Sequence, residues 1–174
     1  MPGREKCLAE MVESIIGQVD ELHIWRNSAY GEWPGDAGKF AFFHHRPISV
    51  FFALDDDLIY PPDYCEYMED KLDHCQILAR QYGKDRYGCY RRSLVSTHGR
   101  DYTGIKHVDR YYHGDVTARY RGLDRVTGDH RVDVPGSGSS VFRPRNMMWK
   151  IKRGAGYLRT YFPTPNMADL HLAK

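Results

Sequence analysis

Leu8, Met11, Val12, Ile15 and Ile16 recur every three or four residues. That spacing draws one apolar stripe along a helix predicted over residues 5–17, with Gly17 as its stop. Residues 19–25 (VDELHIW) follow as a short strand, and 27–31 as a loop. Residues 31–40 (GEWPGDAGKF) form a glycine-rich turn that leads into a short helix. The stretch 48–64 (ISVFFALDDDLIYPPDY) is the centre of the pattern. Its apolar, β-branched and aromatic run predicts a strand buried on both faces, cut off by three carboxylates and turned by two prolines. A second helix is predicted from Asp63 to about residue 80, with Tyr64, Tyr67, Met68, Leu72, Cys75 and Leu78 or Ala79 on its apolar face. Residues 93–97 (SLVST) read as a strand ending at His98-Gly99. Residues 101–128 are charged, tyrosine-rich and without a clean period, which predicts a long loop with marginal strands. Beyond them come a strand at 131–134, a tight glycine turn at 135–140 (PGSGSS) and a returning strand at 141–143. Residues 146–161 carry little pattern, and 162–174 start with two prolines before a helix start capped by Asn166.

A helix followed at once by a short strand is half of a βαβ unit, which makes the fold class α/β. The strand that should precede this helix is not in the sequence. The opening Met1-Pro2-Gly3-Arg4 has the composition of the turn after such a strand.

The 174 residues suffice for a single domain, 1–174, with its own core. A net charge of +2 gives no reason to expect a nucleic-acid or membrane partner. Cysteines 7, 65, 75 and 89 contain no CxxC pair, so they signal neither a zinc site nor a redox pair, and reduced thiols suit a cytoplasmic protein. No apolar run reaches membrane-spanning length, so no integral membrane segment is expected. Thirteen tyrosines suit a surface that meets polar ligands such as sugars.

The chemistry centres on Asp55, Asp56 and Asp57. In open α/β sheets ligands bind at the carboxyl ends of strands, which puts these acids at the lip of a crevice. Adjacent carboxylates repel one another, and a divalent cation would relieve the repulsion; a solvated acidic turn is the plainer alternative. Lys39 and the backbone amides around Gly38 could hold a phosphate, although the P-loop spacing is missing. His98 could face the crevice or serve structurally. Ser137, Ser139 and Ser140 could offer hydroxyls to a ligand, or simply form a hairpin turn.

In order, PGRE with its helix, QVDELHI, GDAGKF, DDDLIYPPDY, STHG, VPGSGS and PNMAD resemble bacterial family-two-like inverting glycosyltransferases. The resemblance spans nearly the whole chain, and DDDLIYPPDY is its most specific part. It implies a Rossmann-like GT-A three-layer sandwich with a mostly parallel, mixed central sheet. It implies a nucleotide-diphosphate sugar donor, a uridine diphosphate sugar first among them, and a glycan or other hydroxyl acceptor. By position, Asp55 and Asp57 match the aspartates that hold Mn2+ or Mg2+, with Asp56 between them. Asp36 and Lys39 match the stretch near the base and diphosphate, and Pro2 and Arg4 the entry to the nucleotide site. Asp169 matches the catalytic base, and His171 is a further metal or diphosphate ligand.

The sequence departs from that pattern by lacking the first strand, by a short stretch after Asn27, and by stopping soon after Asp169. It therefore looks truncated at both ends, and the missing strand would leave a sheet edge with unpaired backbone groups. Two other functions keep the same residues: a metal-dependent phosphohydrolase of nucleotides or sugar phosphates, and a degenerate, non-catalytic transferase fragment.

Overall fold

The computed structural model describes residues 4–26, 35–44, 49–81, 94–102, 118–121, 128–129 and 132–144. Helix α1 spans Arg4–Ile15 and tightens into a 3-10 turn over Ile16–Gln18. Met11 and Ile15 are buried, but Ile16 is exposed, because the change of helical pitch at Ile15 swings it off the predicted stripe. Val19 is extended (φ −129°, ψ 149°), but the chain bends at Asp20, and the strand predicted over 19–25 does not form: residues 19–26 have no ladder partner among the described residues. The turn-rich stretch becomes a 3-10 helix, Gly35–His44, which Gly35 opens at a positive φ of 60°.

Strand β1 is Phe51–Leu54, and helix α2 is Tyr64–Gln81. The Asp63 carbonyl accepts the Tyr67 N–H at 2.9 Å, which makes Asp63 the residue that starts α2, as its type predicts. Up to Ile77 the buried face of α2 is Tyr64, Cys65, Met68, Leu72 and Gln76, and the side chains of Leu78 and Ala79 lie outside the described residues. Tyr67 and Cys75, predicted to lie on that face, are exposed instead. Strands β2 (Leu94–Ser96), β3 (Gly99–Tyr102), β4 (Ala118–Arg121), β5 (Val134–Pro135) and β6 (Ser139–Phe142) complete the order. Part of the expected loop at 101–128 is thus a hairpin arm, with β3 and β4 pairing at Gly99↔Arg121 through Tyr102↔Ala118.

Among the described residues these strands form two three-stranded sheets, β1-β6-β2 and β4-β3-β5. All four strand pairs among the described residues are antiparallel, so the mostly parallel sheet expected from the sequence is not seen there. The reason is local. β6 returns between β1 and β2 and runs against both, which leaves β1 and β2 pointing the same way with a strand between them.

Side chains alternate across that first sheet. Phe52, Leu54, Val95 and Val141 face the helices, where Met11, Ile15, Tyr60, Tyr64, Met68 and Leu72 make the core. On the opposite face the Phe142 ring packs on Phe51 and on Phe40 of the 3-10 helix, with centroids 5.4 and 6.3 Å away. β1 was predicted to be buried on both faces, yet only Ala53 is fully buried in it, and among the described residues β6 is its one partner strand. Arg143, just past β6, reaches Asp73 at 2.7 Å and Glu69 at 3.3 Å and fastens the sheet to α2.

Candidate functional site

The acid triplet leaves the carboxyl end of β1 and is tied down by the turn after it. Asp55 N–H is shared between the Gly138 carbonyl (2.8 Å) and the Tyr60 hydroxyl (2.9 Å), and that hydroxyl donates to Gly138 O at 2.9 Å. Tyr60 N–H in turn donates to Ser14 Oγ at 3.1 Å. Gln18 donates to Pro61 O at 2.7 Å and accepts from Cys65 N–H at 3.0 Å. So α1, the Pro-Pro turn, the start of α2 and the glycine turn before β6 are knotted together beneath the acids. A Cβ on Gly138 would run into the Asp55 carboxylate, so this position takes only glycine without a shift.

The charges above the knot are paired. Lys39 Nζ contacts Asp55 Oδ1 at 2.5 Å, and this lysine is largely buried. Arg4 Nη2 lies 3.1 Å from Asp56 Oδ1 and 3.3 Å from Asp57 Oδ2, both in exposed surroundings where such pairs contribute about 1 kcal/mol or less. Arg4, Asp36, Lys39, Asp55, Asp56 and Asp57 all line one cleft of about 1180 Å³. The Trp25 indole, on the far wall, lies against Gly38 and braces the turn that carries Lys39. Pro2, Asp169 and His171 lie outside the described residues.

Two groups of candidates lie away from the cleft. Ser139 Oγ bonds Thr97 Oγ1 (2.5 Å) and His98 Nδ1 (2.8 Å), and the His98 ring sits against Gly136. Ser137, Ser139 and Ser140 are buried, and neither they nor His98 line the cleft. Ser139 and His98, with Thr97, clasp the end of β2 to the turn before β6. The residues that pattern reading missed are Tyr60 and Gly138. A tyrosine in an apolar run looks like core, and a glycine in PGSGSS looks like a hairpin; only the carboxylate between them separates these readings.

Burial pushes the Tyr60 and Tyr64 hydroxyls well above the ordinary phenol range, and the nearby acids add to this for Tyr60. Burial also raises the Cys65 thiol to about 11. Each group is neutral when protonated, and the folded chain keeps its proton at pH values where the unfolded chain has lost it. Their contribution to stability is therefore complete below pH 9 and declines as pH rises through 9–11 and beyond. Urea midpoints are expected to be level from pH 7 to 8.5 and to fall steadily above 9; a flat profile to pH 11 would contradict the burial of these groups.

The two tyrosines should also differ. Tyr60 has three hydroxyl partners, whereas the Tyr64 hydroxyl is buried with none among the described residues. Tyr60→Phe is expected to cost about 1–2 kcal/mol in chemical denaturation, and Tyr64→Phe to be neutral or stabilising by up to about 1 kcal/mol. Equal losses for both would mean that the hydroxyl contacts of Tyr60 carry no weight.

Among the described residues no group of three or more His, Cys, Asp or Glu side chains stands ready to hold a metal ion, and no helix is long and apolar enough to cross a membrane. The chain matches no known protein-family model, and no curated protein matches it.

Proposed function

We propose that the chain is a glycosyltransferase domain of the GT-A kind, which moves a sugar from a nucleotide diphosphate to an acceptor hydroxyl with inversion. One observation carries this reading: residues from three separate segments, namely Arg4 of α1, Asp36 and Lys39 of the 3-10 helix, and the triplet Asp55–Asp57, converge along one cleft at the carboxyl end of β1. A sheet covered on both faces, with β1 and β2 running the same way and an acidic lip at a strand end, suits an open α/β nucleotide site.

Nine carboxylates line the cleft against three Lys or Arg, a net of six negative charges. A diphosphate would be repelled there unless a cation came with it. The exposed carboxylates of Asp55 and Asp57 suit a hard ion, Mg2+ or Mn2+, that takes one or two protein carboxylates and completes its shell with water and phosphate oxygens. Bound there, such an ion would neutralise charge growing on the departing diphosphate.

The chain's own residues do the rest. Lys39, now on Asp55, turns its ammonium to a phosphate. Arg4 holds Asp56 and Asp57 in place, and Asp36 meets the nucleoside. Asp169 takes the proton of the attacking hydroxyl as general base.

Calorimetry with uridine diphosphate tests the reading. Binding is expected with Mn2+ and not with EDTA, and Asp57→Ala should weaken the Mn2+-dependent binding at least tenfold. Binding that ignores Mn2+, or that survives Asp57→Ala unchanged, would refute it.

A further inference from the structure

Of the three basic residues along the cleft, Arg4, Arg26 and Lys39, the first and last lie on the acid triplet. Lys39 Nζ sits on Asp55 Oδ1, and Arg4 shares one nitrogen, Nη2, between Asp56 and Asp57. The pairs differ in shelter. The Lys39 side chain is 16% exposed, so water and salt screen its attraction for Asp55 little. The Arg4 pairs stand open to solvent and are correspondingly weak. Lys39 is also fixed at its base. Gly38 before it packs under the Trp25 indole, and Phe40 after it is fully buried against Phe51 and Phe142. Movement is left to its ammonium, which stands on a flexible stem. Asp55 is fixed as well. Its N–H is held by Gly138 O and Tyr60 Oη, and its Oδ2 is the oxygen nearest the Gly138 backbone. The other oxygen, Oδ1, takes the ammonium. A cation that reaches Asp55 through Oδ1 therefore meets Lys39, and one that reaches Asp57 Oδ2 meets Arg4.

We propose that Lys39 and Arg4 are stand-in cations, which close the acid triplet to a lone metal ion and yield it only when a diphosphate arrives with the ion. This role presupposes the transferase reading of the site and adds how the site is loaded. Lys39 leaves Asp55 for a phosphate oxygen, while Arg4 gives up Asp57 and stays on Asp56. A divalent ion without nucleotide must displace Lys39 from a sheltered pair, because two cations on one carboxylate oxygen repel each other. A diphosphate without metal meets the surplus of carboxylates. Each ligand removes the obstacle to the other. Their binding is therefore positively coupled, by the same factor in both directions.

The test uses the full chain and Mn2+ alone, with free Mn2+ read by electron paramagnetic resonance. Lys39→Gln should bind Mn2+ about tenfold more tightly than the parent chain, and Arg4→Gln about two- to threefold more tightly, following the shelter of the two pairs. Lys6→Gln removes the same charge from a side chain that lies on Glu10 and outside the cleft, and should leave Mn2+ affinity as it was. With nucleotide the sign reverses. Calorimetry at saturating Mn2+ should show Lys39→Gln binding uridine diphosphate about tenfold more weakly than the parent chain, since the phosphate has lost its ammonium. A purely structural Lys39 would lower both affinities together or neither. Arg4 is exposed, so Arg4→Gln keeps the fold and carries the same sign of change if Lys39→Gln unfolds. Mn2+ binding that neither variant tightens, with nucleotide binding still dependent on Mn2+ and Asp57, overturns the stand-in role and leaves the transferase reading in place. A gain in Lys6→Gln equal to that in Lys39→Gln overturns it too. Absence of Mn2+-dependent nucleotide binding in the parent chain overturns both.

Discussion

Phe142→Ala is expected to remove about 3–5 kcal/mol of stability, the ordinary cost of emptying a fully buried phenylalanine site. At about 2–4 °C per kcal/mol for a chain of this size, the melting point should fall by roughly 6–20 °C. The size of the effect follows from position. Phe142 ends the middle strand of the first sheet, and its ring meets Phe51 of β1 and Phe40 of the 3-10 helix. Among the described residues, Phe40 and Phe51 are the rings that meet it, and both are already held in packed positions. Lys39 is the neighbour of Phe40, so the loss should reach the cleft as well. Phe142→Leu keeps most of the volume and should recover more than half of the loss. A midpoint for Phe142→Ala within 2 °C of the parent chain would show that this aromatic cluster does not hold the sheet.

The second large effect is expected at Gly138. Gly138→Ala places a methyl group where the Asp55 carboxylate lies. Either the turn before β6 gives way, breaking the bonds that Gly138 O accepts from Asp55 and Tyr60, or Asp55 rotates off Lys39. The first route costs stability, about 1–3 kcal/mol for a forced fit in a packed place. The second costs the site, and Mn2+-dependent binding of uridine diphosphate should then weaken by at least tenfold. Chemical denaturation and calorimetry on one preparation separate the two routes. A variant unchanged in both would mean that Asp55 does not lean on this glycine.

The elements with a clear period could be read from the sequence, and those without one could not. α1 and α2 showed as stripes at three and four residues, and their ends fall within a residue or two of the expected places, apart from the 3-10 turn at Ile16. β1 and β2 showed as apolar runs. The direction of pairing was out of reach, because a strand's own residues carry no mark of whether its neighbour runs with it or against it. The hairpin arms β3 and β4 are polar and lack a stripe, so they looked like loop. Tyr67 and Cys75 fit an apolar face in type but lie on its margin, where an amphipathic side chain can stay wet. At the site, the acids stood out as an unusual cluster, whereas Asp36 and Lys39 sit in a commonplace Gly-Asp turn and drew their roles from the resemblance. Arg4 came only from the resemblance, since an arginine 53 residues from its carboxylate partner leaves no local trace.

The bond from Tyr60 to Gly138 spans 78 residues. Closing so long a loop costs about 4 kcal/mol of chain entropy beyond a fixed amount, and no nearer contact supplies the Gly138 carbonyl. During synthesis the acidic lip must therefore remain unformed, its carboxylates apart in water, until the ribosome has released the glycine turn and β6. The cleft is a late product of folding, and any fragment cut ahead of that turn would carry every acid of the triplet and still have no site.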